Sequence, residues 1–594
     1  MRTQKHTVGG APVTINVVET AEDLAEFDTF IQKNLKVLAV DSETTGLDIY
    51  SDGFRCRLVQ FGNPREAWVV PVERGALFQA HAVKALQALE RIVLHNASYD
   101  LQVFDRTLCV PMEWLWPKVT DTRILAHLID PRSPQEQGVG TSLEDLTRRH
   151  IDAEIADNVK GLMNTLRLRH KVLMKDIWRL VDLNDPDYQT YAGMDTILAA
   201  RLLQILDPLV PAVSRKLIGD EIKLAEVCAS IERNGFQIDI PYTKDLSEEL
   251  LNEELIANYR AEELGCLNLW ATEQVADVLE SRGITIPERT ATGLRKIDKV
   301  LLERLRDEGD EFASAVVEAK RARKWRTTWV DGFLNGADYR GRCHASINPL
   351  RARTARMSIT GIPAQTLPGK DWIVRRCFLA DEGHSMVSVD YQAQELRVLA
   401  ALSGDPTMRK AFETGADLHQ ITANASGVDR KVGKTVNFAY VYGSGPRNIA
   451  EQCGIPVDTA KSVIAGFEQS YPKVKEYTEK LQRQAVFDGC ITTPFGRRLP
   501  VDESRPYAAL NYMVQSSSRD ITAQGLLRLH AAGFTPYLRL PIHDEVLASL
   551  PTGKAQWGAQ RIGELMATTL NGVHIGTDPE VGGRSWGSLY GSDY

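Results

Sequence analysis

The chain has 594 residues, 43% of them hydrophobic and 25% charged, and is long enough for roughly three to five structural units. The first twenty residues show no apolar core of a signal peptide and no apolar run approaches the length of a membrane span, so we expect a cytoplasmic protein. Its eight cysteines include no CxxC pair, which argues against a zinc site or a disulfide framework, and its net charge of −8 argues against nucleic-acid binding unless cations cluster locally.

The first two hundred residues alternate between strand-like and helix-like stretches. Apolar strands are predicted over 37–44, 57–62 and 92–96, and a helix is predicted over 82–90. Alternation of this kind is typical of an α/β unit.

Carboxylates follow the first and third of these strands. Asp41 and Glu43 are two positions apart, so both project from the same face of their strand. Asp100 comes after the strand over 92–96, and Tyr191 and Asp195 are four apart on a predicted helix, hence neighbours on one face. An isolated pair of acids would be read as surface residues. The additional acids favour a site for Mg²⁺ or Mn²⁺, which prefer oxygen ligands.

From about 206 to 345 the pattern is mostly helical, with Gly235 at the stop of a predicted helix over 221–235. The segment 320–376 then carries thirteen Lys and Arg against three Asp. Its interleaved apolar residues predict that it is folded rather than an unstructured tail. A folded basic surface is typical of a protein that binds a phosphate backbone, although a solvated face is the plainer alternative.

Two further aspartates are predicted at strand ends in the last part of the chain. Asp390 ends an apolar strand over 384–391, and Asp544 lies in a tight turn between two strands over 537–550. They are 154 positions apart, so only the fold can bring them together.

Between these aspartates lies a helix with an unusual face. Arg430, Lys434, Phe438 and Tyr442 recur every four residues and so follow one side of the helix. A purely structural helix would make that stripe apolar. Two cations followed by two aromatic rings suit a polyphosphate at one end and a base or sugar at the other, and opposite two metal-binding aspartates they predict nucleotidyl transfer.

These motifs together resemble the family A, bacterial DNA polymerase I-like DNA polymerases over nearly the whole chain. The matching patterns are DYxxxELR at Asp390–Arg397, RxxxKxxxFxxxYG at Arg430–Gly443, HDE at His543–Glu545, and shorter matches at 232–239, 290–293, 354–358 and 511–515. The acids of the first two hundred residues resemble the DEDDy 3′→5′ exonucleases.

The exonuclease resemblance implies an RNase H-like proofreading domain. In it Asp41, Glu43, Asp100 and Asp195 hold two metal ions, which activate a water and stabilise the charge on the phosphoryl group. Tyr191 orients that water. Leu47 matches an apolar residue that packs under the terminal base, a position that a plain core leucine would also explain.

The polymerase resemblance implies a second two-metal site. Asp390, Asp544 and the carbonyl of Tyr391 are its metal ligands. Arg430, Lys434 and His419 bind the triphosphate, and Lys434 can protonate the leaving group.

Other residues take nucleotide and DNA roles by the same resemblance. Glu395 closes off the 2′ side of the sugar, with Tyr442 beside it. Phe438 packs on the sugar and implies poor use of dideoxynucleotides. The residues implied to contact primer or template, including minor-groove acceptors that all base pairs share, are Arg356, Asn511, Gln515 and His543.

The chain departs from the usual family pattern at a few positions. Gln392, Ala393 and Gln394 replace Ser, Gln and Ile, Ala355 replaces a glycine, and Ser516 stands where glycine is usual. None of these removes a metal ligand or a triphosphate contact, and their effects on fidelity and sugar discrimination stay open.

The implied architecture is an α/β exonuclease domain over 1–205 and an α+β right-hand polymerase domain over 206–594. Its expected subdomains are a thumb near 240–345, fingers near 406–489, and a palm from about 346–405 and 490–594. No domain of 5′-nuclease size precedes Asp41, which favours a phage-encoded replicative enzyme.

The expected cofactor is Mg²⁺, two ions per active site, with Mn²⁺ as a substitute. The expected partners are primer–template DNA and dNTPs, with replisome proteins as further candidates and no membrane, and the chain is expected to be a monomer.

The alternatives are a gap-filling repair or lesion-bypass polymerase, an exonuclease whose second half only grips DNA, and a non-catalytic replisome scaffold. The scaffold predicts lost carboxylates, and an intact exonuclease argues against lesion bypass.

Overall fold

The computed structural model describes residues 1–369 and 371–594, so Lys370 of the basic segment lies outside the described residues. The first part of the chain forms an α/β unit, as predicted. Its strands are β1 (Arg2–Val8), β2 (Ala11–Val17), β3 (Leu38–Thr44), β4 (Cys56–Gly62), β5 (Glu66–Val70), β6 (Ile92–Leu94) and β7 (Val119–Asp121). Its helices are α1 (Leu24–Lys33), α2 (Ala76–Ala88), α3 (Ala97–Leu108), α4 (Met112–Leu115), α5 (Thr122–Ile129), α6 (Leu143–His150), α7 (Ala153–His170), α8 (Met174–Leu180) and α9 (Pro186–Leu206).

The seven strands form one mixed sheet in the order β1-β2-β5-β4-β3-β6-β7. β3 lies inside this sheet, parallel to β6 at its amino end and antiparallel to β4 along almost its whole length, so its carboxyl end is paired with β4. The three strands and the helix predicted from the hydrophobic pattern are confirmed. The edge hairpin β1–β2 was not predicted; Gly9 and Gly10 form its turn with φ of 54° and 76°.

The helices that come next lead from this unit into the rest of the chain. They are α10 (Leu217–Asn234), α11 (Ile240–Glu263), α12 (Thr272–Ser281), α13 (Lys299–Asp307), α14 (Glu311–Lys324) and α15 (Asp331–Asn335), with a π-helix over Trp325–Val330. α10 ends at Gly235 with φ of 63°, as predicted from the glycine. The apolar residues of 257–319 pack among themselves, apart from the main core.

The last part of the chain combines short antiparallel sheets with long helices. Its strands, with β8 contributed from earlier in the chain, are β8 (Phe236–Ile238), β9 (Arg342–Cys343), β10 (Ser346–Asn348), β11 (Ser358–Thr360), β12 (Phe378–Leu379), β13 (His384–Tyr391), β14 (Cys490–Thr492), β15 (Arg498–Pro500), β16 (Leu538–Ile542), β17 (Glu545–Pro551), β18 (Thr568–Leu570), β19 (Val573–Ile575) and β20 (Thr577–Val581). Its helices are α16 (Gln394–Ser403), α17 (Pro406–Thr414), α18 (Leu418–Ser426), α19 (Arg430–Val441), α20 (Pro446–Cys453), α21 (Val457–Ser470), α22 (Pro472–Asp488), α23 (Ala509–Ala531) and α24 (Ala555–Met566).

The four-stranded sheet β16-β17-β13-β20 is the base on which the second set of predicted site residues lies. β13 spans the predicted strand, and β16 and β17 flank the predicted tight turn. The main core joins this sheet to α16, α19 and α23. This places the carboxyl end of α19 and the turn that holds Asp544 around one cleft.

The basic segment 320–376 is folded, as predicted, but much of its charge is neutralised by acids from other parts of the chain. Arg342 pairs with Asp381 at 2.9 Å, Arg353 with Asp502 at 3.0 Å, and Arg376 with Asp239 at 2.7 Å. A local count of charges therefore overstated the free positive surface.

Among residues 1–369 and 371–594, no helix combines the length and the apolar character needed to cross a membrane.

Candidate active sites

The predicted acids of the first unit meet at the carboxyl end of β3. Carboxylate oxygens of Asp41, Glu43 and Asp195 all lie within 4.8 Å of one another, as a group that could hold a metal ion. Asp41 and Glu43 come from β3, and Asp195 comes from α9, which packs on β3 and β4. Residues more than 150 positions apart are thus joined by the packing of one helix on one sheet.

Asp100 approaches this cluster from α3 and is buried there. Its Oδ1 accepts a hydrogen bond from the hydroxyl of Ser42 at 2.6 Å. Alternation along β3 places Ser42 on the face opposite to Asp41 and Glu43, and this support was not predicted. The serine between the two acids of the D-S-E-T motif was the sequence feature that could have predicted this hydrogen bond.

Burial raises the pKa of all four acids, and repulsion from other acids of the cluster adds to this for Asp41, Glu43 and Asp195. The pKa of Asp100 and that of Asp195 are raised to about 7, chiefly by burial. Burial, together with the charges of the neighbouring carboxylates, holds the pKa of Asp41 and of Glu43 well above the usual range. A divalent cation would offset both the burial of these carboxylates and the repulsion between them, so this set of oxygen ligands fits a metal.

Tyr191 lies beside this cluster, and Leu47 follows β3 in the chain. The Tyr191 ring contacts Trp178 edge-on with centroids 5.8 Å apart, and the nearby Asp195 charge, followed by burial, raises the pKa of its hydroxyl. Leu47 is in the loop after β3 and is 86% exposed, so the alternative of a plain core leucine is wrong.

In the last part of the chain, the fold brings Asp390 and Asp544 together. Asp390 ends β13, and Asp544 lies in the turn between β16 and β17. The backbone N–H of Tyr391 donates to the carbonyl oxygen of Asp544 at 3.2 Å, which ties the two segments together. His543, in the same turn, has φ of 57°, a left-handed conformation that non-glycine residues rarely adopt.

Asp390 lies in a row of carboxylates that the sequence did not predict. Across the sheet it is paired with Glu545 of β17 and with Asp578 of β20, so all three side chains share one face. Burial, followed by the charges of Asp544, Glu545 and Asp578, raises the pKa of Asp390 to about 7. Ser388 donates to Glu545 at 2.6 Å and holds it in place.

The helix α19 presents the predicted face of cations and aromatic rings. Arg430 begins the helix and pairs with Asp417, and Tyr442 is the residue that caps its end. Lys434 is exposed and forms no ion pair within the described part of the chain. A free ammonium group at this place is available to an anion.

His419 lies on α18, which packs against α19. Its Nδ1 is 3.0 Å from Nδ2 of Asn437, and its ring centroid is 5.8 Å from that of Phe438. Burial, with the charges of Arg430 and Lys434, lowers the pKa of its imidazole. The ring therefore stays neutral beside the two cations.

A cleft of about 360 Å³ brings many of the predicted nucleotide and DNA residues together. Glu395 is held there by the hydroxyl of Tyr442, which donates at 2.8 Å, and by an ion pair with Arg356. The predicted residues that line this cleft are Arg356, Glu395, Phe438, Tyr442, Gln515, His543 and Asp544. Asn511, on α23, has a buried Oδ1 with no hydrogen-bond partner among the described residues.

Comparisons with known proteins give a family match for each of the two parts of the chain. The model of DNA polymerase family A matches residues 241–588, and the model of a 3′–5′ exonuclease matches residues 15–211. The DNA polymerases of Mycobacterium phages L5 and D29 are 55% and 54% identical to this chain, each over 99% of both proteins. The thermostable DNA polymerase I of Thermus thermophilus is 30% identical, over 66% of this chain and 51% of its own length.

One solved structure shows a similar fold. The POL domain of Pol1 from M. smegmatis, in complex with DNA primer-template and dNTP, has a TM-score of 0.74. It is 22% identical and is matched over 97% of this chain and 99% of its own.

Proposed function

Because the chain belongs to DNA polymerase family A and also carries a 3′–5′ exonuclease domain, we propose that it replicates DNA by extending a primer 3′ end and proofreads its own product. The exonuclease domain spans about 1–205 and the polymerase domain about 206–594. Within the latter, the thumb lies near 240–345, the fingers near 406–489, and the palm in about 346–405 and 490–594. The family match over 241–588 contradicts the alternatives in which the second half only grips DNA or serves as a scaffold.

The observation that carries the polymerase assignment is the meeting of Asp390 and Asp544 beside the end of α19 that carries Phe438 and Tyr442. In this proposal the two carboxylates and the carbonyl oxygen of Tyr391 hold divalent cations. Bound there, the cations would lower the pKa of the primer 3′-hydroxyl and neutralise charge on the triphosphate. The raised pKa of Asp390 supports this, because a cation would stabilise its ionised form.

The incoming dNTP would lie along α19. Arg430 and Lys434 bind its phosphates, and Lys434 donates a proton to the departing pyrophosphate. His419 adds a neutral hydrogen-bonding group beside them. The exposure of Lys434 supports this role, since a lysine already in an ion pair would have to exchange partners.

The sugar and the DNA would be held by the other end of the cleft. Glu395, fixed by Tyr442, blocks the space beside the sugar 2′ carbon, and Phe438 packs on the sugar. Arg356 is paired with Glu395, so contact with DNA requires it to exchange that partner. Asn511, Gln515 and His543 complete the set of primer and template contacts.

The exonuclease site would remove nucleotides from an unpaired primer end. Asp41, Glu43, Asp100 and Asp195 hold the cations, which would supply an activated water and stabilise the phosphoryl charge. Tyr191 orients the attacking water, and the exposed Leu47 packs under the terminal base.

We propose Mg²⁺ as the cofactor of both sites, with Mn²⁺ as a substitute, since oxygen-only ligand sets favour these ions. The substrates are primer–template DNA and dNTPs. The chain acts as a cytoplasmic monomer, with other replication proteins as its partners.

The test is primer extension with Mg²⁺ by wild type, Asp390→Asn and Asp41→Asn on one matched and one mismatched primer. Asp390→Asn should only shorten primers, and Asp41→Asn should extend matched primers but leave the mismatch in place. A wild-type protein that only shortens primers at high dNTP would refute the polymerase assignment. Asp41→Asn protein that still removes the mismatch would refute the exonuclease assignment.

A further inference from the structure

Gln60 is a buried polar residue of the exonuclease domain for which the fold supplies no hydrogen-bond partner. Its side chain is 0% exposed, and neither Nε2 nor Oε1 has a partner among the described residues. Burying an amide in this way destabilises the folded state, so such a residue calls for an explanation.

The sheet register places Gln60 directly beside a predicted metal ligand. On β4 it is paired with Asp41 of β3, so the two side chains project from the same face on neighbouring strands. Its other cross-strand neighbour, Val69 of β5, is apolar. Asp41 is therefore its polar neighbour across the sheet.

This face of the sheet is also the one that α9 covers. Gly62, two residues further along β4, faces the same way, and a Cβ built on it would lie 2.4 Å from Oγ1 of Thr196 on α9. Thr196 follows Asp195. The amide of Gln60 thus lies in the layer between the strand of Asp41 and the helix of Asp195.

We propose that Gln60 is a positioning residue for the exonuclease metal site, whose Nε2 donates a hydrogen bond to the Asp41 carboxylate when the divalent cation is bound. Carboxylates that bind metals need donors for the oxygen atoms that the metal leaves free, and these donors fix their orientation. An amide supplies a donor without adding charge to a cluster of four acids. This inference rests on the exonuclease assignment of Asp41.

The test is Gln60→Met, which keeps the length and nearly the volume of the side chain but removes the amide. Leu58→Met is the matched control, since Leu58 is equally buried and lies on the same face of β4, opposite Glu43. Three quantities are measured: the metal-free melting temperature, primer shortening and extension at varied Mg²⁺, and Mn²⁺ affinity by calorimetry. The calorimetry uses an Asp390→Asn background, which weakens binding at the polymerase site.

We expect Gln60→Met to weaken Mn²⁺ binding and to slow primer shortening by about 10- to 100-fold, with partial recovery at high metal concentration. Primer extension should be unchanged, and the metal-free melting temperature should not fall, because an unpaired buried amide has been removed. Leu58→Met should resemble wild type in all three measurements.

Wild-type Mn²⁺ affinity in Gln60→Met would overturn the inference, as would an equal loss in Leu58→Met, which would indicate a packing effect. A lower melting temperature with loss of extension would show a purely structural role. If Asp41→Asn still shortens primers at the wild-type rate, the exonuclease assignment itself fails, which is distinguishable from a failure confined to Gln60.

Discussion

At the scale of single residues, Gly433 sets the distance between the two helices that carry the proposed triphosphate contacts. A Cβ at this position would lie 2.4 Å from the carbonyl oxygen of His419, and 3.1 Å from the amide nitrogen of Ala423. Both contacts are with backbone, which cannot rotate away. Glycine is therefore required for α19 to lie this close to α18.

Gly433→Ala should push α19 away from α18 and raise the KM for dNTP by at least about 10-fold, because small displacements of positioning groups are costly in rate. Gly161→Ala is the control: it lies within α7, where a new Cβ meets nothing within 4 Å. That change should stabilise the fold by about 0.5–1 kcal/mol and leave extension unaltered. Steady-state extension kinetics measure the KM for dNTP, and thermal unfolding measures the stability of each variant. A normal KM in Gly433→Ala would contradict the explanation.

The departures from the usual family pattern after Asp390 are accommodated locally. Gln392 donates from Nε2 to Asp578 at 2.6 Å, and Gln394 donates to the hydroxyl of Thr522 at 3.0 Å. Ala393 has φ of 46° at the start of α16. Gln392 therefore supplies a hydrogen-bond donor to Asp578, the acid that lies directly across the sheet from Asp390.

At the scale of secondary-structure elements, a buried ion cluster joins three of them. Glu221 of α10 contacts Arg519 of α23 and Arg497 of the loop between β14 and β15, and Asp520 of α23 also pairs with Arg497, at 2.7 Å. Burial opposes the ionisation of Glu221, but the two arginines lower its pKa to about 2. The helix leading out of the exonuclease domain is fixed by these contacts to α23 and to the loop between β14 and β15.

Glu221→Gln should destabilise the protein by about 3–5 kcal/mol, because it leaves two buried guanidinium groups with one carboxylate. The exposed pair of Lys473 and Glu476 supplies the control. Glu476→Gln should change the free energy of unfolding by less than about 1 kcal/mol. Urea unfolding at pH 7 measures both values, and equal effects of the two substitutions would contradict the role of the cluster.

At the scale of the whole molecule, the exonuclease domain contacts the polymerase domain through a histidine that must stay neutral. Nε2 of His127, on α5, donates to the carbonyl oxygen of Ala352 at 3.0 Å. Burial, followed by the charge of Arg497, lowers the pKa of its imidazole to about 3. Apolar residues of one cluster, including Leu125 and Leu350, pack the two domains together.

Acid should therefore weaken the fold through His127. The pKa of His127 is lower in the folded than in the unfolded state. The stability that depends on its neutral imidazole is therefore fully present above about pH 6.5 and is lost as the pH falls toward 3. Between pH 6.5 and 5 this amounts to about 2 kcal/mol. His127→Gln keeps a hydrogen-bond donor but does not titrate. Over the same pH range the variant should therefore lose less stability than wild type, and the difference should equal this amount. Equal losses in urea unfolding would contradict the prediction.

Much of the two sites could be predicted because their signals are local. The strand-end acids Asp41, Glu43 and Asp390 follow apolar runs, and the four-residue spacing from Arg430 to Tyr442 shows one helix face directly. Periodicity within a single element depends on backbone geometry alone, so it is readable without the fold.

Other features depend on which strands and helices become neighbours. The pairing of Gln60 with Asp41 and of Asp578 with Asp390 is a matter of strand register between distant segments. The cations of 320–376 pair with acids from elsewhere in the chain, and Leu47 is exposed rather than buried.

The sequence by itself determined the chemistry of this protein: which acids, cations and aromatic rings exist, and on which local faces they lie. Only the tertiary structure decided which of them share an environment, and therefore their burial, their pKa values and their partners. The physical reason is that charge interaction and desolvation depend on distances in space, and contacts between residues far apart in the chain are set by the packing of the whole core.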